Sequence, residues 1–210
     1  MTIRAVVFDM DGVLIDAREW HYEALNRALG HLGLEISRFD HLVTYDGLPT
    51  RAKLEMLSRE RDLPRQLHGF INDLKQRYTM QLIWEHCKPC FQHEYALSRL
   101  KLDGFKLGLA SNSIRATIDE MMRQAALSQH LDVVMSNEDV SQGKPNPEIY
   151  QKAIAALGLA PDEVLVVEDN EKGIMAAQAA GAHVLVVADP ADVTYWAIAS
   201  EIQHISAVAA

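Results

Sequence analysis

The apolar positions of this chain follow three successive patterns. Residues 3–8 hold Ile3, Ala5, Val6, Val7 and Phe8 in a nearly unbroken run, which predicts a buried β-strand. Polarity then reverses sharply at Asp9-Met10-Asp11, and Gly12 follows. Residues 17–86 are strand-poor and carry a helical period. Ala24, Leu25, Ala28, Leu29 and Leu32 predict a helix over 23–34, Ala52, Leu54, Met56 and Leu57 another over 50–58, and the pattern continues over 67–83. Gly33, Gly47, Pro49 and Pro64 punctuate this stretch.

Farther on, the two periods alternate. Helices are expected over 94–102, 114–126, 147–157 and 171–180. Strands are expected over 106–111, 133–136, 164–168 and 184–187. Strand and helix in turn imply an α/β fold, a Rossmann-like doubly wound parallel sheet covered on both faces. The expected organisation is an α/β core of residues 1–15 and 88–210, interrupted by an α-helical cap over 16–87. The tail from Asp189 reads as a loop followed by a partly helical segment through Trp196 and Ile202.

Bulk properties narrow the setting. The chain has 210 residues, 49 % of them hydrophobic, enough for a sizeable core. Its formal net charge of −9, with no Lys/Arg block, disfavours nucleic acid and anionic membranes as partners. No apolar run approaches the ~18 residues of a membrane span, and Asp9 and Asp11 break any signal-type apolar segment. Two cysteines make no disulfide framework. A cytoplasmic protein is expected, with a monomer favoured.

Four strand ends carry the candidate chemistry. Asp9 and Asp11 project from the end of the first strand, where open α/β sheets place their sites, and two acids so close invite a hard cation such as Mg²⁺. Ser111-Asn112-Ser113 ends the second strand beside a helix start. It fits either a phosphate-oxygen cradle or plain helix capping. Lys144 sits between Gly143 and Pro145 in a stiff loop, as a point charge for a phosphoryl group or a surface lysine. Glu168-Asp169-Asn170 supplies a second acidic strand end, with Gly173 early in the following helix. Each feature has an ordinary structural explanation, but their order and common placement favour one shared site.

With these motifs in order (Asp9-Met10-Asp11-Gly12-Val13, Ser111-Asn112, Lys144, Glu168-Asp169), the chain resembles the haloacid dehalogenase-like hydrolase superfamily along essentially its whole length. The helical insertion resembles the cap of the subfamily that includes β-phosphoglucomutase and many sugar-phosphate phosphatases. The resemblance implies that Asp9 is a nucleophile forming an aspartyl phosphate and that Asp11 is the general acid and base. It implies Mg²⁺ held by Asp9, the Asp11 backbone carbonyl and Asp169, with Glu168 as a direct or outer ligand. Ser111, Asn112 and Lys144 would bind the phosphoryl oxygens, Lys144 also serving catalysis. The cap would act as a lid, with His21, Gly47, Pro49, Thr50 and Arg51 facing a small phosphorylated metabolite. His21 and Arg51 also fit ordinary cap-surface roles.

Several departures bear on the reaction. Val13 suits the phosphoglucomutase-like branch, but Ala17 replaces a common hydroxyl there. Asp46 stands where the mutase has a lysine, and Pro49 alters the spacing. These changes favour hydrolysis over a phosphomutase, which remains the alternative. Asp11 argues against a dehalogenase, and Lys53 gives no support for phosphonate cleavage. His86, Cys87, Cys90 and His93 have a zinc-like pattern, but their halves lie unusually close together. A non-catalytic binding protein on the same fold would be expected to lack some of the acids retained here.

Overall fold

A computed structural model of the chain describes residues 2–45 and 48–208. In chain order its main elements are β1 (Ala5–Phe8), α1 (Arg18–Gly30), α2 (Arg38–Asp40), α3 (Thr50–Glu60), α4 (His68–His86), α5 (Phe91–Leu102), β2 (Lys106–Ala110), α6 (Arg115–Gln124), β3 (Val133–Met135), α7 (Glu148–Leu157), β4 (Val164–Glu168), α8 (Glu171–Ala179), β5 (His183–Val186) and α9 (Tyr195–Val208). The five strands form one parallel sheet in the order β3-β2-β1-β4-β5. It is the doubly wound sheet that the alternating pattern predicts.

β1 is the central strand. Val7 pairs with Gly108 on one side and Val166 on the other. All four of its residues are buried, which explains the uninterrupted apolar run: a parallel strand covered on both faces has no polar side to present. Ala5, Val7, Ala110, Val164 and Val166 meet Ile149, Tyr150, Ala153 and Ala176 in one core cluster. Local signals fix the helix ends around this core. The Asn170 side chain accepts from Lys172 N at the start of α8, and α7 stops at Gly158, whose φ of +68° suits glycine.

The chain divides into two compact units, Met1–Asp16 with Cys87–Ala210, and Ala17–His86. The second unit has its own core of Leu25, Leu29, Ile36, Tyr45, Leu54, Leu57 and Ile71. Ser58 Oγ donates to Leu63 O at 2.6 Å and ties down the end of α3.

Some boundaries differ from expectation. α1 begins at Arg18 instead of residue 23, because its first turns are half-buried and polar and hide the helical period. It ends at Gly30, before the expected 34, and the chain turns through Gly33 at φ +69°. A single π-helical turn, His41–Tyr45, follows α2 and buries Tyr45. The tail is helical from Tyr195 onward. No described helix is long and apolar enough to cross a membrane.

Leu57 is fully buried in the helical unit. Leu57→Ala should cost ~2–5 kcal/mol of stability, through lost transfer energy and the cavity left behind. A urea unfolding curve with an unchanged midpoint would contradict this packing.

Candidate active site

The parallel register delivers the functional groups to one edge of the sheet. Asp9 N donates to Val167 O at 3.0 Å, carrying the β1–β4 ladder one residue beyond Phe8. Ser111 N donates to Met135 O at 3.0 Å and does the same for β2 and β3. Asp9, Ser111 and Glu168 are thus fixed by backbone pairing at the C-terminal ends of three adjacent strands. After Asp9 the chain folds back at once. Leu14 N and Ile15 N both donate to Met10 O, and Gly12 adopts φ +90°.

Lys144 joins the acids. Its Nζ lies 2.6 Å from Asp9 Oδ1 and 2.6 Å from Glu168 Oε1, and all three side chains are buried. The ammonium also lies 4.7 Å from the centre of the Tyr150 ring, within cation–π range. Tyr150 OH donates to Glu168 Oε1 at 2.7 Å. The other Glu168 oxygen accepts from Asp169 N at 3.0 Å and Asn170 N at 3.2 Å. Both Glu168 oxygens are thus engaged in holding the lysine and the β4–α8 turn.

The loop bearing Lys144 is anchored by Asn112, whose Oδ1 accepts from Lys144 N at 3.0 Å. The Lys144–Pro145 peptide is cis. Ser111 Oγ accepts from Ser113 N at 3.1 Å, and Ser113 Oγ donates to Asp11 Oδ2 at 3.1 Å. Asp11 is half-buried and held by a hydroxyl.

Three glycines make this arrangement possible. A Cβ at position 12 would lie 2.1 Å from Asp169 Oδ2, one at 143 would lie 2.7 Å from Asn112 Oδ1, and one at 173 would lie 1.7 Å from Glu168 Oε1. The acids and the amide fill the space that side chains would otherwise occupy.

Burial pushes the Asp9 carboxyl well above the ordinary aspartate range. Lys144 opposes that shift, while Glu168 and Asp11 reinforce it. Burial alone would depress Lys144, but Asp9 and Glu168 outweigh it and raise the ammonium above its usual value. Tyr150 is raised strongly, first by burial and then by Glu168, so its hydroxyl stays a donor.

Ligand atoms of Asp9, Glu168 and Asp169 all lie within 4.8 Å of one another. The set is all oxygen, and Gly12 leaves room for the Asp169 carboxylate. Both features fit a hard divalent ion such as Mg²⁺. The Asp11 side chain is not part of this group.

The remaining expected residues are carried by other elements. His21 is on α1, with Nδ1 3.5 Å from Lys75 Nζ. Thr50 opens α3, and Arg51 beside it is exposed. Gly47, like Asp46, falls outside the described residues. Cys87 is buried with Sγ 3.6 Å from Met121 O, and burial pushes its thiol up to about 11. Cys90 is exposed, and His93 Nε2 lies 2.8 Å from Pro190 O. Sequence reasoning missed Tyr150 and the pairing of Ser113 with Asp11. Tyr150 reads as one more core position of α7, since a period reports the buried face and not the polar tip.

The family described as haloacid dehalogenase-like hydrolase matches residues 6–187. The phosphorylated carbohydrates phosphatase of Thermotoga maritima is 32 % identical over 182 residues, which is 85 % of this chain and 82 % of that protein. The phosphoglycolate phosphatase of Aquifex aeolicus is 29 % identical over 179 residues, again 85 % of this chain and 82 % of that one. A β-phosphoglucomutase structure from Clostridium difficile superposes with a TM-score of 0.82 at 22 % identity, covering 97 % of this chain and 98 % of that one. It shares the fold.

Two outcomes follow for stability. Tyr150→Phe should cost ~1–3 kcal/mol in urea unfolding, because buried Glu168 loses a donor that nothing replaces. Asp9→Asn should stabilise the metal-free protein at neutral pH relative to wild type, because the amide carries no cost of ionising in a buried place while Glu168 still pairs with Lys144. The sign follows from a folded pKa raised above the unfolded one: wild type loses stability as pH climbs from about 4 toward the raised folded pKa. The asparagine variant lacks that loss, so the gap should be small near pH 4 and widen upward. Unfolding in EDTA across a pH series measures it, and a gap that narrows with pH contradicts the assignment.

Proposed function

The chain belongs to the haloacid dehalogenase-like hydrolases, and on that premise we propose that it is a Mg²⁺-dependent phosphatase of small phosphorylated metabolites, sugar phosphates foremost. The observation that carries the proposal is the Lys144 ammonium, shared by Asp9 and Glu168 beside Asp169. It holds a carboxylate rigidly where a phosphoryl group would meet it and places positive charge against the transferring oxygens. Phosphatase relatives at 29–32 % identity support the reaction class.

The chain's own residues then divide the work. An Asp9 carboxylate oxygen attacks phosphorus, and the bond to the ester oxygen breaks. Asp11 gives its proton to the departing oxygen. It then takes one from the water that hydrolyses the aspartyl phosphate, releasing phosphate and regenerating Asp9. Ser113 orients Asp11 for both transfers. Ser111 and Asn112 contribute donors to the phosphoryl oxygens, and Asn112 also sets the Lys144 loop. Asp9 and Asp169 are the direct ligands in this reading, while Glu168, occupied by four donors, positions Lys144 from behind. Mg²⁺ held there would supply further positive charge to the phosphoryl group.

Residues 17–86 are read as the substrate-selecting cap, with His21, Thr50 and Arg51 as its residues to test. A cytoplasmic setting suits a metabolite substrate and two free thiols.

Phosphate release from a panel of sugar phosphates and other phosphorylated metabolites tests the reading. Wild type should release phosphate with Mg²⁺ and stop in EDTA. Asp9→Asn should fall on the order of 10³-fold or more, and Asp11→Asn by about 10²- to 10⁴-fold. Full Mg²⁺-dependent activity in Asp9→Asn would overturn the mechanism. A phosphorylated isomer in place of free phosphate would establish the mutase instead.

A further inference from the structure

Helix α5 is apolar on two faces. His93, Ala96, Leu97 and Leu100 turn inward and are buried. Phe91, Tyr95 and Leu102, at i, i+4 and i+11, form a second stripe, with Ser98 filling its i+7 position. Phe91 is 81 % exposed, Tyr95 39 % and Leu102 77 %. A chain of ring contacts carries the patch onto α9. The centroids of Phe91 and Tyr95 lie 6.0 Å apart, those of Tyr95 and Tyr195 6.2 Å, and those of Tyr195 and Trp196 5.0 Å. Trp196 is 71 % exposed.

At roughly 200 Å² per aromatic side chain, Phe91, Tyr95 and Trp196 leave on the order of 400 Å² of ring surface in water. That is about half of the ~800 Å² one partner contributes to a stable interface. Leu102 and a polar rim can supply much of the remainder. The rim is already ordered. Tyr195 OH donates to Asp103 Oδ2 at 2.7 Å, and the Arg99 guanidinium lies 5.5 Å from the Tyr195 ring centre. Little further freedom is lost if this surface is covered.

The spacing names the occupant. The stripe is symmetric about a point between Ala96 and Leu97: Phe91 and Leu102 are equidistant from it, as are Tyr95 and Ser98. Two antiparallel copies of α5 related by a two-fold axis at that point bring Phe91 of one to Leu102 of the other, and Tyr95 to Ser98. Glu94 and Lys101, two turns apart, share one flank of the stripe. Antiparallel pairing brings like flanks together, so Glu94 of each copy comes near Lys101 of the other. The Lys101 ammonium spends two contacts on Asp132, at 2.7 and 2.8 Å, and an ammonium has three protons to donate. The helix dipoles also oppose favourably.

We propose that this face of the α/β unit joins a second copy of the chain in a two-fold dimer through α5 and the Tyr195–Trp196 rim, in place of the monomer expected from the sequence.

Sedimentation equilibrium of the full chain from about 1 μM to about 100 μM tests this. Wild type should reach about twice the 23.5 kDa chain mass. Phe91→Ser and Leu102→Glu alter exposed positions outside the core. Each should weaken association about tenfold or more, with helix content by circular dichroism unchanged. Glu94→Lys sets two cations against each other and should weaken it in a salt-dependent way. A chain that stays at 23.5 kDa throughout overturns the dimer. A dimer indifferent to Phe91→Ser and Leu102→Glu overturns this interface, and indifference to Glu94→Lys overturns the antiparallel register.

Discussion

One buried ammonium organises the site. Lys144 reaches Asp9 and Glu168 at equal distance, from a loop that belongs to neither strand. Without it, two buried carboxylates would face each other in a medium that penalises even one. Its own burial is sustained by those two charges and by the Tyr150 ring. The tie is mutual, so β1, β4, the loop before α7 and α7 itself are set with respect to one another by a single charged group.

The sheet is what makes so small a tie sufficient. Asp9 and Glu168 need no searching, because the β1–β4 register puts Phe8 opposite Val167 and the next residue of each strand emerges at the same edge. Buried apolar strands therefore fix the distance between polar groups, and the glycines at 12, 143 and 173 remove the atoms that would intrude. The stabilising forces of the core are spent in part on holding an electrostatically unfavourable edge. Asp9, held well above its usual pKa by burial, is the clearest sign of that tension.

Much of this was legible in the chain. β1 announces itself because both faces are buried, so composition alone marks it. The polar residues that end β1, β2 and β4 mark the sheet edge because polarity reverses abruptly there. Other features were hidden for identifiable reasons. The order β3-β2-β1-β4-β5 depends on crossovers that no local period encodes. The first turns of α1 are half-buried and mix polar with aromatic residues, so its start carries no clear helical period. Tyr150 carries no polar signal of its own, because its ring packs in the core and its hydroxyl matters only through its bond to Glu168, 18 residues on. Ser113 looked like a cap because a serine beside a helix start usually is one. Its bond to Asp11 crosses 102 residues of sequence.

The charge balance of the edge constrains any substrate. Asp9 and Glu168 share the Lys144 ammonium, Asp169 lies beside them, and Asp11 sits two residues beyond Asp9, so carboxyls crowd this edge. A phosphate ester brings more negative charge, and in a buried setting the mutual repulsion would exceed what Lys144 alone can offset. The groups that would make Asp9 the nucleophile in the proposed reaction would therefore, by themselves, keep its target away. A hard cation would relieve this repulsion by supplying positive charge, and Asp9 and Asp169 are the residues that would hold it. On the proposed phosphatase reading, metal dependence would follow from the electrostatics of the acids themselves. It would hold for any phosphorylated substrate, whatever the helical unit selects.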